Sequence, residues 1–96
     1  MTLIDLKEVI DDFKKNESDD DIFEHFFDLC MILGFDATTT FNFCSFVWHA
    51  LNYEYEDIPN EIKNIIDKKS LDLIEEETKR WFIKWGIPDS IRKQIN

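Results

Sequence analysis

The chain has 96 residues, room for one domain whose folding buries about 60–65% of the unfolded surface. A composition of 44% hydrophobic and 15% aromatic residues is globular, and two glycines with two prolines are too few for a turn-rich sheet or a phosphate-cradling loop. Twenty-one acids against eleven bases leave a formal charge of −10, which argues against nucleic acid or an anionic membrane as a direct partner.

The periodicity is helical from end to end, and the expected fold is an all-α, single-domain bundle of five or six short helices. Thr2 is placed to cap a first helix with Asp5 at the capping-box position, and Leu3, Leu6, Ile10 and Phe13 recur along one face. Ser18 and Asp21 repeat the capping signature for a second helix, which carries Ile22, Phe26, Leu29 and Leu33 on one side and meets a terminator at Gly34. The stretch from Thr38 to Phe43 has β propensity, so a short strand is an alternative there. Helical spacing of Phe41, Cys44, Trp48 and Leu51, and of Phe43, Phe46, Val47 and Ala50, predicts instead a central helix buried nearly all round. Phe43, Phe46, Trp48, Trp81 and Trp85 are accordingly expected in the core. Ile58-Pro59 signals a short helix with Ile62, Ile65 and Ile66, and Ser70 is expected to cap a fifth helix bearing Leu71, Ile74, Trp81 and Trp85. Gly86-Ile87-Pro88 then reads as its stop, followed by a last short helix with Ile91 and Ile95.

The N-terminal Met-Thr-Leu-Ile-Asp-Leu-Lys-Glu does not read as a signal peptide, so none is expected, and the longest charge-free segment, Ala37 to Tyr53, is too short and polar to span a bilayer. Cys30 and Cys44 sit among apolar neighbours and are read as reduced core thiols. The expected location is the cytoplasm.

Charge distribution is more informative than its total. Residues 1–57 hold fourteen acids and three lysines, residues 58–96 seven acids and eight bases, and no Lys or Arg occurs between Lys15 and Lys63. Solvated helices ordinarily mix signs, because an acid four residues before a lysine stabilises by a few tenths of a kcal/mol. On the second helix Asp21, Glu24 and Asp28 fall within about 60° of one another, opposite the apolar stripe. A helix dipole accounts for acids in the first turn but not for Asp28. Such a face is either a solvated surface serving solubility or one shaped for a basic partner. Tyr53-Glu54-Tyr55-Glu56-Asp57 favours the second: tyrosines supply anchors, and the alternating acids supply steering charge. The candidate contact residues are therefore Asp21, Glu24, Asp28, Tyr53, Glu54, Tyr55, Glu56 and Asp57. The bland alternative is that one tyrosine caps the core and the other is incidental.

Catalytic and metal chemistry find no support. His25 and Cys30, like Cys44 and His49, are five residues apart, about 140° around a helix, where paired zinc ligands use shorter gaps. The acids of residues 16–21 lack the glycine of a calcium loop, and position twelve counted from Asp19 is Cys30. No motif ties the His, Cys and Ser residues into a nucleophile arrangement. Neither an enzyme nor a cofactor is expected.

A small, acidic, helical chain with a tyrosine-and-acid patch resembles the immunity proteins that neutralise bacterial nuclease toxins, those of the DNase colicins and of contact-dependent growth inhibition. The resemblance is carried by Ser18-Asp19-Asp20-Asp21 leading into Ile22-Phe23-Glu24-His25-Phe26, and by Tyr53 and Tyr55 ahead of Ile58-Pro59-Asn60-Glu61-Ile62, about a third of the chain. Here Glu54 separates the tyrosines and no proline directly follows them, departures from the colicin type that leave the growth-inhibition class open. The resemblance implies a basic nuclease toxin domain as partner, neutralised by stoichiometric occlusion of its active site or the surface beside it. Two other readings stand beside it: a phage-type nucleic-acid mimic inhibiting a restriction or CRISPR effector, and a plain helical adapter.

Overall fold

The first N–H groups of a helix have no acceptor within it, and in this chain short polar side chains supply one. The computed structural model describes the backbone of residues 1–85 and the side chains of residues 1–80. Helix α1 (Leu3–Phe13) opens on the expected capping box: Thr2 Oγ1 accepts from Asp5 N at 3.1 Å, and Asp5 Oδ2 accepts from Thr2 N at 2.8 Å. Helix α2 (Asp19–Ile32) opens on Ser18, whose Oγ accepts from Asp21 N at 3.2 Å. Asp21 returns no bond to the Ser18 backbone, so only half of the expected box forms. Gly34 ends this helix with φ of 69°, and Phe35 N and Gly34 N donate back to Cys30 O and Met31 O. That double bond pattern requires a left-handed residue at the terminator, where glycine carries no Cβ penalty.

Helix α3 (Ala37–Asn52) replaces the alternative strand. Its cap is Asp36, whose Oδ1 accepts from Thr39 N at 2.7 Å, and its buried face is Phe43, Phe46, Val47 and Ala50. Capping and burial at helical spacing together outweigh the β propensity of three threonines. A 3-10 turn (Tyr55–Asp57) leads to α4 (Asn60–Asn64), with Pro59 as its N-cap; Ile65 and Ile66 lie just past its end. Helix α5 (Lys68–Trp85) starts earlier than the sequence signal at Ser70. Asp67 is the cap: its Oδ1 accepts from Ser70 N at 2.7 Å and its Oδ2 from Ser70 Oγ at 2.9 Å. The carboxylate is the stronger acceptor, so Ser70 serves as a donor inside the first turn. The expected stop at Gly86-Ile87-Pro88, the last helix with Ile91 and Ile95, and the side chains of Trp81 and Trp85 lie outside the described residues.

The outcome is an all-α bundle with no strand among the described residues, and its radius of gyration of 12.4 Å is close to the roughly 12.5 Å of a compact chain of this length. One core joins Leu6, Val9 and Ile10 of α1 to Ile22, Phe26 and Leu29 of α2, to the buried face of α3, and to Leu71 and Ile74 of α5. Phe26 links three helices, its ring 6.2 Å from Phe13 and 5.9 Å from Phe43. Trp48 is not in this core, contrary to expectation; it is 50% exposed, because it projects from the side of α3 away from Phe46 and Ala50.

Lys7 of α1 and Lys14, just past its end, close the carboxyl end of α3. Buried Lys7 donates from Nζ to Ala50 O at 2.8 Å and to Asp11 Oδ1 at 2.7 Å, and Lys14 Nζ donates to Leu51 O at 2.6 Å. Cations here complement the negative end of the helix dipole and satisfy carbonyls that lack a helical donor. Lys15, the remaining lysine of the first half, pairs with Asp12 at 3.1 Å.

Candidate functional site

Every Lys of the first 57 residues is thus committed near α1 or the end of α3, which leaves α2 without a Lys or Arg as counter-charge. Asp21, Glu24 and Asp28 are all exposed on its solvent side, opposite Ile22, Phe26 and Leu29. Among the described residues, no Lys or Arg pairs with any of the three. Helix α5 behaves differently: Lys68–Asp72 at 3.6 Å, Lys79–Glu75 at 3.1 Å and Arg80–Glu77 at 2.8 Å mix the signs along one helix. The one-signed surface is therefore a local property of α2 and not a uniform coat.

The two candidate tyrosines have different environments. Tyr53, at the carboxyl end of α3, is exposed and lies in an aromatic group, its ring 6.3 Å from Trp48 and 6.0 Å from His49. His49 is held by Nδ1 donating to Ser45 O at 2.7 Å. Tyr55 is half-buried, packs against the core, and has Lys63 Nζ 4.6 Å above its ring. One ring is thus available to a partner and the other is largely spent on the fold. Glu54, Glu56 and Asp57 are exposed around them.

Sequence reasoning missed the apolar part of this surface. Helices α2 and α3 run antiparallel: Asp19, Asp20 and Phe23 face Trp48, Leu51 and Asn52 across an open cleft of about 330 Å³, Phe26 meets Phe43, and the Cys30 and Cys44 thiols neighbour each other farther along. Along the outer side of that seam, Phe23, Phe27 and Met31 recur at i, i+4 and i+8 on α2, within about 80° of one another. Phe41 and Trp48 answer them at i and i+7 on α3. Exposure is large for side chains of this kind: 41% for Phe27, 61% for Met31 and 70% for Phe41. Glu24 and Asp28 occupy the adjoining strip of α2, each about 60° from Phe27 or Met31 respectively. The signal was present as a second apolar periodicity offset from the buried one, but in α3 it blends into the all-round apolarity that predicted a buried helix.

Cys30 is buried and Cys44 half-buried, and both are free thiols. Their mutual hydrogen bond, with burial, pushes the Cys30 thiol up, while the same bond holds Cys44 below its ordinary value. Among the described residues, no three His, Cys, Asp or Glu side chains converge as metal ligands would, and no helix is long and apolar enough to cross a membrane. Compared with protein-family models, with curated proteins and with solved structures, the chain matches none.

Proposed function

We propose that this protein is an immunity protein: it binds a basic nuclease toxin domain in the cytoplasm, one to one, and occludes the toxin's active site or the surface beside it. The observation that carries the reading is the row Asp21, Glu24 and Asp28, with no Lys or Arg partner among the described residues, alongside exposed aromatic rings. A nuclease must present a basic channel to its phosphates, and an acidic face is attracted to such a channel from a distance. Exposed Tyr53 and Trp48 then provide the ring area that slows release, the usual division between rim charge and buried anchors at interfaces. Glu54, Glu56 and Asp57 add steering charge on the Tyr53 side. A phosphate mimic is favoured less, because its carboxylates would need to repeat without the apolar rings that interrupt these.

The test is inhibition. If the reading frame beside this gene encodes a nuclease domain, titrating that domain with the purified chain should abolish its cleavage of nucleic acid at one equivalent. Full nuclease activity at several equivalents, with no complex seen by size-exclusion chromatography, would remove the proposal.

A further inference from the structure

The acid row alone would need only a flat surface; the α2–α3 seam offers a shaped one. Two apolar ridges flank it, Phe23, Phe27 and Met31 on one side and Phe41 and Trp48 on the other, with the half-buried Cys44 between them on α3. From Phe23 to Met31 the ridge rises about 12 Å at 1.5 Å per residue, the length of roughly two turns of a docked helix. Antiparallel helices leave a groove of helix width, and a third helix fills it with apolar side chains at i, i+3 or i+4, and i+7. The borders fix the sign of what enters. Asp19 and Asp20 line the Trp48 end and Glu24 flanks Phe27 on α2, none paired with a Lys or Arg among the described residues. A neutral helix would desolvate these carboxylates without compensation, and a second copy of this chain would bring its own acids against them.

We infer that the α2–α3 seam is a docking groove for a cationic amphipathic helix, its apolar side seated between Phe27, Met31, Phe41 and Trp48 and its Lys or Arg residues meeting Asp19, Asp20 and Glu24. The groove shares with the proposed inhibition only the basic character of the partner, and the two fail separately. Inhibition of a nuclease that leaves the seam untouched removes the groove and keeps the inhibitor; a helix seated in the seam of a chain that inhibits no nuclease does the reverse.

The probe is a synthetic 14-residue helix of Leu and Lys with that apolar spacing, titrated into the 15N-labelled full-length chain beside its same-composition scramble and a version with Glu in place of every Lys. The expected result is chemical-shift change at Phe23, Phe27, Met31, Phe41 and the Trp48 indole N–H, with affinity about tenfold or more above the scramble and no binding of the Glu version. Phe27→Ser should weaken binding about tenfold with the helical circular dichroism retained. The double variant Asp20→Lys/Glu24→Lys, at two exposed positions, should do the same. Shifts confined to α5, equal affinity for peptide and scramble, or a concentration-dependent dimer that occupies the seam and excludes the peptide would each overturn the assignment.

Discussion

Asp36 shows how one side chain decides a conformation that local propensity leaves open. Its carboxylate accepts from the Thr39 backbone at 2.7 Å, and that bond, together with the Thr39 side chain, holds its pKa below the ordinary 3.8. A group whose pKa is depressed by folding stabilises the fold above its unfolded value and loses that contribution as pH falls through its folded value. Asp36→Ala should therefore lower the thermal midpoint at neutral pH, and the gap to the wild type should narrow as the pH drops below about 4. Asp36→Asn should melt near the wild type at neutral pH, because an amide oxygen caps almost as well. At the same scale the two tyrosines separate fold from contact. Tyr55→Ala should cost stability, since the ring packs on the core and beneath Lys63, whereas Tyr53→Ala should leave the urea midpoint nearly unchanged and speed dissociation from a partner. Equal loss of stability in both variants would contradict that division.

Among the helices, Lys7 of α1 does more than contribute charge. Lys7 is a buried cation that survives because Asp11 and the Ala50 carbonyl satisfy it, and it ties α1 to the carboxyl end of α3. Lys7→Met preserves the side-chain length and strands the carbonyl, so urea unfolding should show a loss of about 1–3 kcal/mol. The exposed Lys15→Met is the control, with a change of about 0.5 kcal/mol or less. The role of Lys7 was not legible in the sequence, because a lysine inside an amphipathic run looks like any solvated one until α3 is packed beside it. The same limit applies to Trp48. Periodicity correctly identified the buried stripes of α1 and α2, the caps at Thr2 and Ser18 and the stop at Gly34, which are all local patterns. It could not tell which side of an apolar α3 would meet neighbours, because that depends on where α1, α2 and α4 lie. The acid row was legible for the opposite reason: a lack of nearby bases along the chain persists as a lack of bases in space when the few that exist are used elsewhere.

At the scale of the molecule, the account is of a bundle with two kinds of surface. Helix α5 carries paired charges of both signs, while α2, the α2–α3 seam and the Tyr53 turn combine acids that have no Lys or Arg partner among the described residues with exposed rings. Contiguous apolar surface of this kind commonly marks a binding site, and the adjoining charge points to a basic partner. The measurement that tests this most directly is stopped-flow association with the basic nuclease domain proposed as partner, at low and high salt, for the wild type and for Glu24→Lys/Asp28→Lys. The account predicts that added salt slows wild-type association by about tenfold or more, and that the double variant associates slowly at every salt concentration while dissociation changes little. Association indifferent to both salt and charge reversal would contradict it.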